Sequence, residues 1–120
     1  MFLEPWFNIV ASVADGQALV TEAQALAPDL IIADVSMPLL NGFQATRRLR
    51  AAQPNSRVLL LTVHEESAFL AEARKSGALG YVLKRSAASD LLAAIREVLQ
   101  GRPYVSPSAQ TPLPPNPPAR

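Results

Sequence analysis

Short, nearly continuous apolar runs alternate along this chain with segments of helical periodicity. Such runs are typical of strands that are covered on both faces, and strands that alternate with helices form parallel sheets. The sequence predicts the order β-α-β-α-β-α-β-α. We therefore expect an α/β domain with a doubly wound parallel sheet and helices on both faces, its strands being Phe7–Val13, Leu30–Asp34, Val58–Thr62 and Gly80–Lys84.

The helices between these strands are bounded by residues that commonly begin and end helices. Asp15-Gly16 precedes the first, in which Leu19, Ala23 and Leu26 share one face. Asn41 is the expected cap of the second, and Gly77 the expected end of the third. The helices are predicted at Gln17–Leu26, Gly42–Gln53 and Glu66–Ser76, with a last one that carries the stripe Leu91, Leu92, Ile95, Val98 and Leu99 and stops at Gly101.

The C-terminal end differs in composition from the rest of the chain. Six of the 11 prolines fall in 106–120, together with one leucine, no aromatic residue and no acidic residue. Such a segment buries too little apolar surface to offset the entropy of ordering it. We therefore predict a domain over 1–105 and an extended tail or linker over 106–120.

Charge, cysteine content and hydropathy exclude several classes of protein. The 11 basic and 10 acidic residues leave a net charge of +1, without the basic excess of a dedicated nucleic-acid binder. The absence of cysteine excludes disulfide frameworks and thiolate metal sites. No apolar run approaches the length of a membrane span, and the N-terminus lacks the pattern of a signal peptide. A cytoplasmic domain with no membrane or nucleic-acid partner is expected.

Three predicted strands end in a residue with reactive potential: Asp34, Thr62 and Lys84. Alone, each has an ordinary explanation, as a turn residue, a strand former and a solvated strand end. Parallel strands, however, bring their carboxyl ends to one edge of the sheet, where binding sites gather. A carboxylate nucleophile, a hydroxyl donor and an ammonium group together suit phosphoryl transfer to aspartate.

Three ordered motifs resemble the receiver domains of bacterial response regulators. Ile31-Ile32-Ala33-Asp34-Val35-Ser36-Met37-Pro38 with Asn41-Gly42 is similar to the phospho-acceptor segment, and Leu60-Leu61-Thr62-Val63-His64 is similar to the switch-threonine strand. The stretch Gly77-Ala78-Leu79-Gly80-Tyr81-Val82-Leu83-Lys84 resembles the lysine-bearing segment. The likeness extends from about residue 7 to 107 and is strongest to the NarL/FixJ branch, whose members usually carry a LuxR-type helix-turn-helix. It implies a CheY-like, flavodoxin-like fold.

The resemblance also implies a role for each matching residue. Asp34 would accept a phosphoryl group from a sensor histidine kinase, and the Ser36 backbone carbonyl would help Asp34 to bind Mg²⁺. Thr62 would hydrogen-bond the phosphoryl group, Lys84 would pair with it, and Tyr81 would be the switch aromatic. Ser36 and His64 would tune the phosphoryl lifetime, although His64 has the simpler interpretation of a residue at the rim of the sheet. These roles describe a signalling module that is not itself an enzyme.

The sequence departs from this family at its N-terminal end. No segment before Phe7–Val13 matches the family's first strand, which ends in an acidic pair and lies between the strands matching Phe7–Val13 and Leu30–Asp34. We therefore expect an incomplete receiver that lacks its first βα unit and its output domain. One carboxylate holds Mg²⁺ poorly, so binding is expected to be weak or absent. Exposed strand edges predict self-association.

Two other functions share parts of the pattern. A phosphatase of the haloacid-dehalogenase type also uses Asp, Thr or Ser, and Lys at strand ends. That class needs a second aspartate two residues after the nucleophile, where this chain has Ser36. The other alternative is an inactive fragment or a binding-only pseudo-receiver, which would have the same fold without phosphoryl transfer.

Overall fold

The computed structural model describes residues 13–107. The predicted strand Phe7–Val13 lies outside this range except for its last residue, and so does the predicted tail beyond Pro107. The described elements are α1 (Gly16–Leu26), β1 (Ile31–Asp34), α2 (Gly42–Ala52), β2 (Val58–Thr62), α3 (Ser67–Ser76), β3 (Gly80–Leu83), a 3₁₀ turn (Lys84–Ser86), α4 (Ala87–Leu99) and β4 (Tyr104–Val105).

The four strands form one parallel sheet in the order β1-β2-β3-β4. Asp34 is in register with Leu61, and Thr62 is in register with Leu83. Consequently β1, β2 and β3 all end at the same edge of the sheet. The predicted parallel α/β fold is confirmed, and the strand ends meet as the sequence pattern requires.

Helices cover both faces of the sheet, as predicted. On one face α1, α2 and α3 bury a core that includes Val20, Phe43, Leu49 and Ala73. On the other face α4 alone packs its apolar stripe, in which Leu91, Ile95 and Val98 are buried against Leu59 and Val82 of β2 and β3. Burying one such side chain stabilises the fold by about 1.5–3 kcal/mol, so these two layers fix the sheet between the helices.

Local capping explains where the helices begin and end. The Asp15 carboxylate accepts the Ala18 N–H at 2.7 Å at the start of α1. Asn41 and Gln44 form a capping box at α2, each side chain accepting the other's backbone N–H at 2.9 Å. Gly77 ends α3 with φ of +99°, a conformation that favours glycine. All three were predicted to bound helices.

The structure corrects some details of the sequence prediction. Strand β3 ends at Leu83, the last residue in register with β2, and Lys84 begins the 3₁₀ turn. Leu26 is 45% exposed in the last turn of α1, since the buried face of that helix is rotated towards Val20. Strand β4 was not predicted, because two residues are too few to show a period.

Two further observations concern the limits of the folded unit. Ser106, which the sequence assigns to the tail, is fully buried and belongs to the folded unit. The predicted tail beyond Pro107 lies outside the described residues and stays a prediction. Within residues 13–107 no helix is long and apolar enough to cross a membrane.

Candidate functional site

The carboxyl edge of the sheet brings Asp34 and Lys84 into direct contact. The Lys84 Nζ lies 2.9 Å from Asp34 Oδ1, and the two side chains are 46% and 40% exposed. Asp34 ends β1, whereas Lys84 follows β3, so the lysine side chain reaches across the end of β2. A solvent-accessible carboxylate thus stands beside an ammonium group at the end of the central strand.

The loop after Asp34 is held by the sheet and by α2. The Val35 N–H donates to the Leu61 carbonyl at 3.0 Å, and the Gly42 N–H donates to the Val35 carbonyl at 2.8 Å. A Cβ at Gly42 would lie 2.4 Å from the Asp34 carbonyl oxygen. Glycine is therefore required for the first turn of α2 to approach the strand that carries Asp34.

Helix α1 holds the same loop from its other side. The Gly16 N–H donates to the Pro38 carbonyl at 3.1 Å, and a Cβ at Gly16 would lie 2.0 Å from the Leu40 carbonyl oxygen. Between these contacts, Leu39 adopts φ of +70° and is 77% exposed. The loop that follows the carboxylate is thus fixed at both ends, with one strained apolar residue at its tip.

Thr62 and Tyr81 meet beside this pair, below the surface. The Thr62 hydroxyl oxygen accepts the His64 N–H at 2.9 Å, and the Tyr81 hydroxyl donates to the His64 carbonyl at 3.0 Å. Both side chains are buried. Burial raises the pKa of the Tyr81 phenol, its hydrogen bond with Thr62 acts in the opposite direction, and the charge of Glu66 raises it further. Tyr81 is therefore a neutral hydrogen-bond donor that holds the β2–α3 loop.

His64 lies at the rim of the sheet. Its ring stacks on Phe69 of α3 with centroids 4.1 Å apart and an interplanar angle of 5°. Its Nδ1 lies 3.9 Å from the Glu66 carboxylate. This packing fits the simpler interpretation of a rim residue, and its backbone is what connects Thr62 with Tyr81.

The described residues do not make a complete magnesium site. Ser36 is exposed next to the strand end, as a carbonyl ligand would need to be. Nevertheless, no group of three or more His, Asp or Glu side chains within residues 13–107 is arranged to hold a metal ion. Mg²⁺ prefers six oxygen ligands, and Asp34 with one carbonyl does not fit that requirement.

The sequence prediction missed an ion pair between the two loops that follow β2 and β3. Arg85, which follows Lys84, makes two contacts of 2.8 Å with the Glu65 carboxylate from the β2–α3 loop. Hydrogen bonding to Glu65 and its charge raise the pKa of the Arg85 guanidinium. The pair connects the loops after β2 and β3. Its only sequence signal was the position of each residue just beyond a reactive strand end.

This arrangement suits nucleophilic attack by a carboxylate. The Asp34 carboxylate is accessible to an electrophile, and the Lys84 ammonium can neutralise charge that develops there. Thr62 is in register with Leu83, the residue before Lys84, but its hydroxyl oxygen accepts the His64 N–H of the β2–α3 loop. The structure brings together Asp34 and Lys84 at the surface, and Thr62, Tyr81 and the His64 backbone beside them.

Comparison with known proteins gives a consistent result. Residues 1–96 match the family described as response regulator receiver domain. The transcriptional regulatory protein DegU of Brevibacillus brevis is 38% identical over 105 residues, which cover 88% of this chain and 44% of that protein. The oxygen regulatory protein NreC of Staphylococcus epidermidis is 37% identical over 107 residues, covering 88% and 49%. The chain therefore spans slightly less than half the length of these relatives.

Solved structures show the same fold. A LuxR-family two-component response regulator from Aurantimonas sp. SI85-9A1 superposes with a TM-score of 0.84 at 35% identity, covering 88% of this chain and 76% of that one. The signal receiver domain of the NarL regulator from Mycobacterium tuberculosis gives 0.79 at 32% identity, covering 84% and 82%.

Proposed function

Because this chain belongs to the family of response regulator receiver domains, in its NarL/LuxR branch, we propose that it accepts a phosphoryl group on Asp34. The donor in this proposal is a phosphorylated sensor histidine kinase. Asp34 is then the substrate of the phosphoryl transfer, and the chain is a signalling module.

The contact between Asp34 and Lys84 carries the proposal. At 2.9 Å, the ammonium is placed to offset the charge of an oxygen nucleophile and of the phosphoryl group that joins it. The roughly 40% exposure of Asp34 admits a donor attached to another protein. In addition, β1 and β3 end on either side of β2, whose last residue, Thr62, is buried. A surface ion pair alone would not require this arrangement.

The transfer would proceed by direct displacement. An Asp34 carboxylate oxygen attacks phosphorus and forms an acyl phosphate, while the P–N bond to the donor imidazole breaks and its electron pair remains on nitrogen. Solvent protonates that nitrogen. Lys84 stays charged and turns from the carboxylate towards the phosphoryl oxygens. Thr62 would donate its hydroxyl hydrogen to one of these oxygens, because the His64 N–H occupies only a lone pair of the hydroxyl oxygen.

The partners and the wider role follow from the relatives. DegU is named as a transcriptional regulatory protein and NreC as an oxygen regulatory protein, and both are about twice as long as this chain. By analogy, phosphorylation of this domain would regulate transcription through a separate DNA-binding part, in the cytoplasm, with no direct nucleic-acid contact by these residues. Solved structures of the RcsB regulator, 25% identical, are described as dimers bound to DNA, so self-association of this domain is part of the proposal.

The experiment is phosphoryl uptake from acetyl phosphate with Mg²⁺ in the buffer, followed by borohydride trapping and peptide mapping. We expect one label, on Asp34, and its loss in Asp34→Asn. Asp29→Asn is the matched control, because Asp29 is an exposed aspartate just before β1.

Label on any other carboxylate, or undiminished label in Asp34→Asn, would contradict the assignment. Complete absence of label in the wild-type chain would favour a binding-only pseudo-receiver, since the described residues hold a single carboxylate at the site.

A further inference from the structure

The short strand β4 is attached to β3 in an unusual way at its end. Tyr104 and Ser106 donate their N–H groups to the carbonyls of Leu79 and Tyr81 at 3.0 and 2.9 Å, as in a regular parallel ladder. In such a ladder the next N–H, that of Leu83, would be bonded to the Ser106 carbonyl. Instead it donates to the Ser106 hydroxyl oxygen at 3.1 Å.

The Ser106 side chain is fully buried and uses both of its hydrogen-bonding functions. Besides accepting from Leu83, its hydroxyl donates to Asp90 Oδ2 at 3.0 Å. Asp90 lies in the first turn of α4, where a carboxylate is favourable, and it also accepts from the Ser89 hydroxyl at 3.3 Å. Breaking both bonds of this hydroxyl is costly, because the buried Ser106 oxygen and the Leu83 N–H would be left without these partners away from water.

Two of the three attachment points of this segment, at Tyr81 and Leu83, lead to the candidate site. Leu83 directly precedes Lys84, whose ammonium contacts Asp34. The Tyr81 carbonyl holds the Ser106 N–H, while the Tyr81 hydroxyl holds the loop beyond Thr62. The segment Tyr104–Ser106 is therefore bonded to the backbone of the two residues of β3 that bear on the site.

We propose that Ser106 is a positioning residue for Lys84, and that it couples the segment Tyr104–Ser106 to the state of Asp34. The Ser106 hydroxyl fixes the point where β3 turns into the 3₁₀ turn, and so determines from where Lys84 reaches Asp34. This inference rests on the function proposed above and adds a route from the acceptor carboxylate to the C-terminal end of the folded unit.

Coupling of this kind acts in both directions. If a change at Asp34 alters the hold on Ser106, then loosening Ser106 must alter the equilibrium at Asp34 by the same factor. A serine that only completes the fold would affect stability and leave the response of Asp34 unchanged. The two roles are therefore separable by measurement.

The experiment measures amide hydrogen exchange at Leu83 and Ser106 by NMR, and phosphoryl uptake from acetyl phosphate with Mg²⁺, on the full chain. Ser106→Ala is expected to accelerate Leu83 exchange by about tenfold and to slow phosphoryl uptake roughly threefold to tenfold. Ser89→Ala removes a hydroxyl that contacts Asp90 without touching β3, and should change neither quantity.

A conservative pair keeps the test decisive if Ser106→Ala fails to fold. Asp90→Asn retains an acceptor for the Ser106 hydroxyl and should stay within about twofold of the wild type. Asp90→Ala should follow Ser106→Ala. Faster Leu83 exchange with unchanged phosphoryl uptake, in either alanine variant, would reduce Ser106 to a structural role and overturn the proposal.

A last measurement needs no phosphoryl chemistry, so that failure of the proposed function can be told apart from failure of the coupling. Lys84→Met removes the contact with Asp34. It is expected to change the exchange rate of the Ser106 amide by about threefold or more. Unchanged Ser106 exchange in Lys84→Met would overturn the coupling even if the chain accepts phosphate.

Discussion

At the scale of single residues, the contact between Asp34 and Lys84 has more chemical than structural importance. Both side chains are nearly half exposed, and exposed ion pairs contribute about 0–1 kcal/mol to stability. By contrast, Thr62 and Tyr81 are buried and hold the β2–α3 loop through the His64 backbone. Replacing a surface residue of the pair should therefore alter reactivity, and replacing a buried residue should alter stability.

The first prediction concerns Lys84→Met. Loss of the ammonium removes the charge that offsets the transferred phosphoryl group, so the rate of uptake at Asp34 should fall by about 10²-fold or more. The free energy of unfolding should change by less than about 1 kcal/mol. Rapid-quench labelling and denaturant melts give the two values. Lys75→Met, at an exposed position of α3, should leave both unchanged. Equal labelling rates in the two variants would refute the role of Lys84.

The second prediction concerns alkaline pH. The pKa of Tyr81 is raised by burial, and the pKa of Tyr104 is raised by burial and by the Asp90 carboxylate. Their folded-state pKa values thus exceed the unfolded value of about 10, so the folded chain holds these protons more tightly. The associated stability is fully present below pH of about 10 and is lost as pH rises through the folded pKa values.

Urea melts between pH 8 and 11 would measure this decline in the free energy of unfolding. Tyr81→Phe should make the decline shallower and should cost about 1 kcal/mol at neutral pH, because the bond to the His64 carbonyl is lost. A decline of identical slope in Tyr81→Phe would show that Tyr81 titrates normally in the folded chain.

At the scale of elements, the loop between β1 and α2 is built by close backbone contacts more than by side chains. The Gly42 and Gly16 N–H groups bond carbonyls of this loop, and neither position has space for a Cβ. The Asn41 capping box then orients α2. The geometry around Asp34 therefore depends on the starts of α1 and α2 as well as on the strands that carry the reactive residues.

The third prediction tests this dependence with Gly42→Ala. Alanine is the better helix former, so intrinsic propensity alone would stabilise α2 by up to about 1 kcal/mol. The added Cβ would meet the Asp34 carbonyl, and we expect a net destabilisation of about 1–3 kcal/mol. Thermal or chemical melts give the sign directly. A stabilised variant would mean that α2 can move away from β1 at no cost.

The sequence predicted the elements well where period and capping agree. Strand Val58–Thr62 matches as predicted, and Asp15, Asn41 and Gly77 bound helices. The prediction failed where a tertiary contact determines the local structure. Lys84 lies beyond the end of β3, where Ser106 accepts the Leu83 N–H, and the Glu65–Arg85 pair depends on two loops meeting. Neither contact leaves a periodic pattern in the sequence, because the two residues of each contact lie far apart along the chain.

At the scale of the whole molecule, the two faces of the sheet are covered unequally. Three helices pack on one face, whereas α4 alone covers the other. Leu30, Ile32 and Leu61, which pack against the α4 core, are only partly buried. Within residues 13–107 no strand pairs with β1 on the side away from β2. Among these residues β1 is therefore an edge strand, and the unpaired backbone groups of an edge strand promote pairing with another strand.

The fourth prediction is concentration-dependent self-association. Sedimentation velocity over a concentration series should show a mass that rises with concentration, and Ile32→Lys should reduce this rise. Leu26→Lys is the matched control, since Leu26 is an exposed apolar residue of α1, outside the sheet. A monomer at every concentration would contradict the prediction, and an equal effect of the two lysines would place the contact elsewhere.

The exposure of Asp34 and Lys84 also affects how long a phosphoryl group would persist on Asp34. A carboxylate that a bulky donor can approach is equally open to water, and the acyl phosphate formed there would be a mixed anhydride that water hydrolyses. The phosphorylated state would therefore last only until water hydrolyses it, so the phosphorylated fraction of the protein would reflect how recently the donor was active.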